Sequence, residues 1–385
     1  MVRRCKLLVS CQWIVFILLL SNCALPRAPA TPVIGDDLDA ESLRAAIHHS
    51  LAYLEKLPAE RVVSVEPRQL TAAEVRGSLI AFEQLLNRWS CRECLAREVA
   101  ARFEWIPSNS DPEMSKVLFT GYYQPVIEGS LVATEVYRFP IYAIPLDLMA
   151  AQSAENGERI VGRMEQQGLV PYYSRREIDE LGVLKGRGLE IAWVRDPIDV
   201  FFLHIQGSGI IRLPDGAELS VGYAAQNGLP YRSIGRLLID RGKVDREEMS
   251  MQRLRQYLND NPQERDEIFS YNESYVFFRV IVVGPLGSLE VPLTAGRSIA
   301  TDSRLFPKGA LVLVETEIPV IDGAGRLAGW RPMRRFMLNQ DTGGAIRGFQ
   351  RADIYFGTGE EPGRMAGYMN RPGRMFFLML KNNRD

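Results

Sequence analysis

The sequence predicts an α+β protein that is mainly β, with helices at the N-terminus. Two observations lead to this prediction. Helical periodicity dominates residues 36–107, and from residue 117 onward the chain consists of short apolar runs separated by glycine and proline. At 385 residues, the chain can hold two ordinary domains or one domain interrupted by an insert.

The composition is that of a folded protein without a strong overall charge. Hydrophobic residues make up 46% and charged residues 24% of the chain, which is close to globular averages. The 46 Lys and Arg nearly balance the 47 Asp and Glu, giving a formal net charge of -1. Since no global positive field attracts a polyanion, nucleic acid is not a predicted partner.

The first residues predict a cleaved export signal. Arg3, Arg4 and Lys6 precede an apolar run at residues 7–20, which is too short and too interrupted to span a bilayer comfortably. Residues 1–22 are therefore interpreted as a signal peptide. The alternating proline, alanine and threonine residues that follow, up to residue 35, are typical of an extended linker.

The end of the signal resembles the lipobox of bacterial lipoproteins. The segment Leu20-Ser21-Asn22-Cys23 places a cysteine where signal cleavage and acylation would occur, although Asn22 is larger than the usual residue. Ala24 resembles the residue that follows this cysteine in outer-membrane lipoproteins. The resemblance implies lipidation of Cys23 and a location at the periplasmic face of the outer membrane; an ordinary secretory leader is the alternative.

Two cysteines remain beyond Cys23. Cys91 and Cys94 lack two further ligands for a structural zinc site and are not surrounded by a thioredoxin-like pattern. They form either a local disulfide in an oxidising compartment or two half-buried thiols.

Two N-terminal helices follow from apolar spacing. Thr71 and Glu74 form a capping box that begins the second helix, and Pro107 ends the helical region. The apolar stripes of the two helices comprise Leu43, Ile47, Leu51 and Leu54, and then Val75, Leu79, Phe82, Leu86 and Trp89.

The remaining chain is predicted to be rich in strands. One further helix is expected at residues 245–258, closed by Asn261 and Pro262. The apolar runs interpreted as strands are 117–119, 200–203, 276–278, 311–314 and 375–378.

The sequence offers little for histidine-based or metal-based catalysis. Only 3 histidines are present; His48 and His49 lie on the first helix, and His204 lies in an apolar run. Neither a Gly-x-Ser-x-Gly elbow nor a His-Glu-x-x-His motif occurs, so neither a metal nor a cofactor is expected. Carboxylate chemistry remains, and it suits the cleavage of glycosidic bonds.

The segment richest in acids and glycines lies near the C-terminus. Residues 340–348 read QDTGGAIRG, and residues 351–359 read RADIYFGTG. Glycines allow a backbone to approach an extended ligand closely, but Asp and Gly are also typical of plain β-turns. These residues alone favour the turn interpretation.

These two segments resemble the three-aspartate domain of the membrane-bound lytic murein transglycosylase A family, and Asp302, Asp341 and Asp353 match its three aspartates. The resemblance covers nearly the whole chain that follows the signal. The other segments that carry it are FTGYYQP at 119–125, YYSRR at 172–176, QGSG at 206–209, GYAAQNG at 222–228, NESYVFF at 272–278, VPLTAGRSIATD at 291–302 and FPKG at 306–309.

The resemblance implies a double-psi β-barrel interrupted by a smaller, barrel-like β-domain, with a substrate cleft between them. The implied divisions are a signal peptide at 1–22, a lipid-anchored linker at 23–35, helices and the first part of the barrel at 36–124, the inserted domain at 125–274, and the second part of the barrel at 275–385.

The resemblance also implies the chemistry. Asp353 is expected to be the single general acid and base, with Asp341 and Asp302 as supporting acids, in cleavage of peptidoglycan between N-acetylmuramic acid and N-acetylglucosamine that leaves 1,6-anhydro ends. A purely structural role is the alternative for each of the three acids. The expected glycan-binding residues are Thr120, Gly121, Tyr122, Tyr123, Gln206, Gly207 and Ser208.

The expected partners are peptidoglycan glycan strands, the membrane through the N-terminal lipid, and proteins of cell-wall synthesis. Two other functions compete. One is a wall-binding lipoprotein without catalysis, because a fold does not fix a function. The other is a hydrolase that uses Asp341 or Glu273 to activate water.

Overall fold

A computed structural model describes residues 34–66, 68–109, 116–152, 159–166, 168–344 and 346–381. The predicted signal peptide, Cys23 and the linker up to residue 33 lie outside these ranges. Within them, no helix combines the length and apolar character needed to cross a bilayer.

The described chain contains both helices and strands. The α-helices are α1 Ala40–Leu54, α2 Ala72–Leu85, α3 Arg92–Arg102, α4 Arg175–Asp179, α5 Pro197–Gln206, α6 Ile234–Asp240, α7 Met251–Asp260, α8 Arg265–Tyr271 and α9 Glu360–Tyr368. The strands are β1 Val62–Ser64, β2 Leu70–Thr71, β3 Phe103–Pro107, β4 Val117–Gln124, β5 Val126–Ser130, β6 Phe139–Tyr142, β7 Met149–Gln152, β8 Arg159–Glu165, β9 Gly168–Pro171, β10 Glu190–Val194, β11 Ser208–Arg212, β12 Glu218–Gln226, β13 Val276–Val280, β14 Ser298–Ala300, β15 Leu311–Ile321, β16 Leu327–Asp341, β17 Arg351–Thr358 and β18 Asn370–Leu380.

The two predicted N-terminal helices are present as α1 and α2, but the helical region ends before Pro107, because residues 103–107 form β3. Asp39 caps α1, and the predicted capping box of Thr71 and Glu74 begins α2. Their apolar stripes are buried against the barrel in one continuous core. Phe82 of α2, for example, packs against Phe336 of β16 with ring centroids 4.9 Å apart.

Six strands close into a barrel. They pair in the order β15-β16-β14-β17-β4-β18, and β18 returns to β15, while β3 pairs with the C-terminal half of β18. Two pairs of adjacent strands are parallel, β14 with β16 and β17 with β4. The closed barrel confirms the predicted mainly β, α+β class; its double-psi description stays a prediction.

A second sheet lies between β4 and β14 in the chain. Its six strands pair in the order β13-β12-β11-β5-β10-β6, and a bridge between Ala143 and Phe278 joins its two edges. By strand pairing this sheet extends to Val280, beyond the expected insert boundary at residue 274. The domain boundaries as a whole stay a prediction.

One predicted strand is wrong. Residues 200–203 lie within the helix α5, which Asp196 caps, Pro197 begins and Gly207 ends in the left-handed conformation. An apolar run this short fits a buried strand and a buried helix equally well, and only the flanking cap residues separate them. The expected helix at 245–258 begins later, at Met251, because Ser250 supplies its N-cap.

A disulfide joins Cys91 and Cys94 at the start of α3. One of the two alternatives that the sequence leaves open is therefore the arrangement present in the structure.

Candidate active site

Two of the three predicted acids lie in one row across the barrel. Strand register pairs Asp341 with Ala300, Ala300 with Asp353, and Asp353 with Thr120, on β16, β14, β17 and β4 in turn. With strands about 4.8 Å apart, the backbones of the two acids are about 10 Å apart. Ala352 and Ile354 on either side of Asp353 are fully buried in the barrel core, so the row lies on the opposite face of the sheet.

Asp353 is partly open to solvent and is held through one of its oxygens. Its side chain is 18% exposed. The Thr120 hydroxyl donates a hydrogen bond to Oδ1, and Nε of Arg351 lies 3.5 Å from the same oxygen. Thr120 is therefore a neighbour of the acid, in contact with it across two adjacent parallel strands.

Both carboxylate oxygens of Asp341 accept hydrogen bonds from the protein. Its Oδ1 accepts hydrogen bonds from the backbone N–H groups of Ser288 and Thr342, both at 2.8 Å. Its Oδ2 accepts from the Tyr122 hydroxyl at 3.0 Å. Burial raises the pKa of Asp341 to about 6, against the opposing effect of these hydrogen bonds.

Asp302 lies just beyond the end of β14 and closes a loop. Its side chain is fully buried. Arg304 donates two hydrogen bonds to it, from Nε to Oδ1 at 3.0 Å and from Nη2 to Oδ2 at 2.7 Å. The N–H of Gly348 also donates to Oδ2 at 2.9 Å. Burial acts to raise the pKa of Asp302, but these hydrogen bonds outweigh it and lower the pKa to about 2. Asp302 thus ties the loop that precedes β17 to the end of β14.

Two tyrosines line the same face as the acids. Tyr122 and Tyr355 occupy registered positions on β4 and β17, and their ring centroids lie 5.2 Å apart. Burial, and then the neighbouring charge of Asp341, raise the pKa of Tyr122 far above its usual range. Tyr122 therefore stays protonated and donates to Asp341.

The structure places other predicted glycan-binding residues in the frame of the site. A Cβ on Gly121 would lie 2.7 Å from the backbone of Ala366, so this glycine allows β4 to contact α9. Tyr123 packs against Gly363 of the same helix.

The predicted QGSG segment, residues 206–209, forms a corner between α5 and β11. The Gln206 side chain accepts a hydrogen bond from the N–H of Tyr123 at 3.0 Å, and Gly207 adopts φ 76°. Ser208 pairs with Gly222 of β12. Gln206 thus joins the insert to the point where β4 leaves the barrel, and a direct glycan contact of these residues stays a prediction.

The insert faces the row of acids. The charges of Arg351 and Asp353 act on Tyr231 of the insert, whose pKa is raised, mainly by burial. On the loop after Asp341, a Cβ on Gly344 would lie 3.9 Å from the Gln226 side chain of the insert.

Sequence reasoning missed Arg351, Ser288 and Tyr231. Arg351 had a signal, because it stands two residues before Asp353 and a strand places such residues on one face. Ser288 and Tyr231 reach the site through tertiary packing and carry no comparable signal in the sequence. Within the described ranges, no three His, Cys, Asp or Glu side chains are grouped so as to hold a metal ion.

Two domain families and several known proteins are similar to this chain. Residues 118–279 match the MltA specific insert domain, and residues 297–379 match the 3D domain. The chain is 37% identical over 265 residues to membrane-bound lytic murein transglycosylase A of Escherichia coli strain K12, covering 68% of this chain. It is 32% identical over 301 residues to the Vibrio cholerae protein of that name, covering 73% of this chain and 74% of that protein.

The chain belongs to the membrane-bound lytic murein transglycosylase A family. Its alignment spans 65% of the length of the Escherichia coli relative.

Solved structures of this family have the same fold. A membrane-bound lytic murein transglycosylase from Agrobacterium tumefaciens matches with a TM-score of 0.75 and 33% identity, over 89% of this chain and 93% of that one. The Escherichia coli family member with bound chitohexaose matches with a TM-score of 0.70 and 28% identity, over 90% of this chain and 92% of that one.

Proposed function

We propose that this protein is a peptidoglycan lytic transglycosylase that cleaves the bond between N-acetylmuramic acid and N-acetylglucosamine and leaves 1,6-anhydro ends. The observation that carries the proposal is Asp353, a partly exposed carboxyl group whose Oδ1 accepts a hydrogen bond from Thr120 and whose charge acts on Tyr231. Membership of the transglycosylase family, and the chitohexaose bound by a relative of the same fold, support a glycan strand as the substrate.

The reaction needs one carboxyl group. In its protonated form, Asp353 donates its proton to the oxygen that links the two sugars. The bond from this oxygen to the anomeric carbon of N-acetylmuramic acid then breaks, and N-acetylglucosamine leaves with a free hydroxyl group. The resulting carboxylate accepts the proton of the C6 hydroxyl of N-acetylmuramic acid as this oxygen attacks the anomeric carbon of its own ring. Because the nucleophile belongs to the substrate, its effective concentration is high and no activated water is required.

The surroundings of the other acids disfavour a hydrolase. A hydrolase would use Asp341 or Glu273 to activate water, which requires a free acceptor oxygen near the bond. Both oxygens of Asp341 accept hydrogen bonds from the protein. Glu273 forms an ion pair with Arg232 at 3.1 Å. Asp341 and Asp302 are accordingly proposed to support the site by holding its loops.

The proposed location follows from the N-terminal sequence. Lipidation of Cys23 would hold the protein at the periplasmic face of the outer membrane through the linker at 23–35. Family members are named membrane-bound, which supports an anchor of this kind. Peptidoglycan strands would be the main partner, with cell-wall synthesis proteins as further partners.

The test is mass spectrometry of purified peptidoglycan after digestion, with an enzyme-free sample as the reference. The wild type should produce strands with anhydro ends, and Asp353→Asn should abolish them while glycan binding is retained. Asp322→Asn, in the exposed turn between β15 and β16, is the matched control and should behave as the wild type.

Each alternative outcome identifies a competing function. Reducing ends would indicate a hydrolase, and strands that are bound but unchanged would indicate a binding protein. Full activity of Asp353→Asn would exclude Asp353 as the acid.

A further inference from the structure

The two oxygens of Asp353 have different surroundings. Oδ1 accepts the hydrogen bond of the Thr120 hydroxyl and is also approached by Nε of Arg351 at 3.5 Å. Within the part of the chain that the structure describes, no hydrogen bond from another residue reaches Oδ2. The carboxyl group is therefore held from one side.

The direction of the Thr120 hydroxyl is fixed by Arg351. Nη2 of Arg351 lies 3.4 Å from Oγ1 of Thr120. A guanidinium group has only donors, so the hydroxyl must accept from Arg351 and must direct its single proton elsewhere. The neighbouring acceptor is Oδ1 of Asp353. The three groups form a chain in which every hydrogen bond points from Arg351 towards the acid.

This polarity decides where Asp353 carries its own proton. A proton on Oδ1 would face the hydroxyl proton of Thr120 and the N–H of Arg351, so the neutral acid carries it on Oδ2. We infer that Thr120, oriented by Arg351, is a positioning residue that confines the proton transferred in the reaction to Oδ2 of Asp353. The inference rests on the proposed function and deepens it.

The fold makes this contact rigid. Thr120 and Asp353 are registered partners on the parallel strands β4 and β17, and Arg351 lies two residues before Asp353 on the same face. A β-branched threonine has few side-chain conformations, so its hydroxyl stays aimed at the carboxyl group. This role differs from the direct glycan contact expected for Thr120 from the family resemblance.

The test replaces the hydroxyl of Thr120 while keeping its shape. Thr120→Val removes the donor, and Thr120→Ser keeps it. A hydrogen bond donated to a carboxylate favours its charged form, so its loss should make the acid hold its proton more tightly. We expect Thr120→Val to lower kcat about tenfold or more, with little change in KM. We also expect the alkaline limb of its pH–rate profile to move up by about one pH unit.

Two controls separate positioning from folding. Thr120→Ser should restore both the rate and the pH profile. Thr316→Val is the matched control on another barrel strand, because it removes a threonine hydroxyl that donates to the carbonyl of Pro372 instead of to an acid. The pH–rate profile of this variant should match that of the wild type.

The outcomes distinguish this inference from the proposed function. A Thr120→Val enzyme with the wild-type pH profile and kcat would overturn the inference alone. Wild-type cleavage to reducing ends would overturn the proposed product, yet the Thr120 comparison would still decide the inference, because the leaving oxygen needs the same acid. A wild type that cleaves no glycan would overturn both.

Discussion

Replacing Asp302 by Asn should destabilise the protein in a pH-dependent way. The carboxylate is fully buried and accepts hydrogen bonds from Arg304 and from the Gly348 N–H, which lower its pKa from 3.8 to about 2. A depressed carboxyl pKa contributes stability that is present above the unfolded value of 3.8 and is lost as the pH falls through the folded value near 2.

The size of the effect follows from the shift. At about 1.4 kcal/mol per pKa unit, Asp302 contributes about 2 kcal/mol to the free energy of unfolding at pH 7. At pH 3, between the two pKa values, the same linkage leaves about 1 kcal/mol. Asp302→Asn, which cannot ionise, should therefore be less stable than the wild type at pH 7 and should approach it as the pH falls.

The assay is urea unfolding followed by tryptophan fluorescence at several pH values between 7 and 3. Asp322→Asn, which removes an acid from the exposed β15–β16 turn, is the control and should show little change at any pH. A stability difference between Asp302→Asn and the wild type that stays constant from pH 7 to pH 3 would refute the reasoning, because the loss would then be due to altered packing alone.

Two further predictions concern the frame of the site. The pKa of Asp341 is raised from 3.8 to about 6, so the stability that its carboxyl group contributes is present below pH 3.8 and is lost as the pH rises through 6. In the same unfolding assay, the free energy of unfolding of Asp341→Asn should therefore rise by about 2 kcal/mol relative to that of the wild type between pH 4 and pH 7. Gly121→Ala should lower the free energy of unfolding by about 1–3 kcal/mol, because the new Cβ would meet the backbone of α9. Gly77→Ala in α2 should raise it by about 0.5–1 kcal/mol, because the new Cβ meets nothing within 4 Å and alanine favours a helix more than glycine does. Equal thermal shifts for the two glycine variants would contradict the proposed contact between β4 and α9.

Local patterns predicted much of the secondary structure. The stripe beginning at Leu43 and the capping box at Thr71 predicted α1 and the start of α2, because their periodicity and end signals are local properties of the chain. The run at 200–203 shows the limit of this approach. All four residues of this run are buried in α5, so the run contains no polar position whose spacing would separate a helix from a strand.

The sequence predicted candidate acids for the site but not how they are arranged. The family resemblance selected Asp302, Asp341 and Asp353 as a set. Nothing in their spacing along the chain distinguishes the partly exposed Asp353 from Asp341, whose two oxygens both accept hydrogen bonds, or from the buried Asp302.

The sequence by itself determined the mainly β class, the N-terminal helices and the family, and it predicted three aspartates as site residues. Only the tertiary structure decided what surrounds each acid. Thr120 and Asp353 are 233 residues apart in the chain and touch because β4 and β17 are parallel neighbours in the closed barrel. Hydrogen bonding and desolvation depend on such long-range neighbours, so the roles of chemically identical side chains become distinct only when the barrel closes.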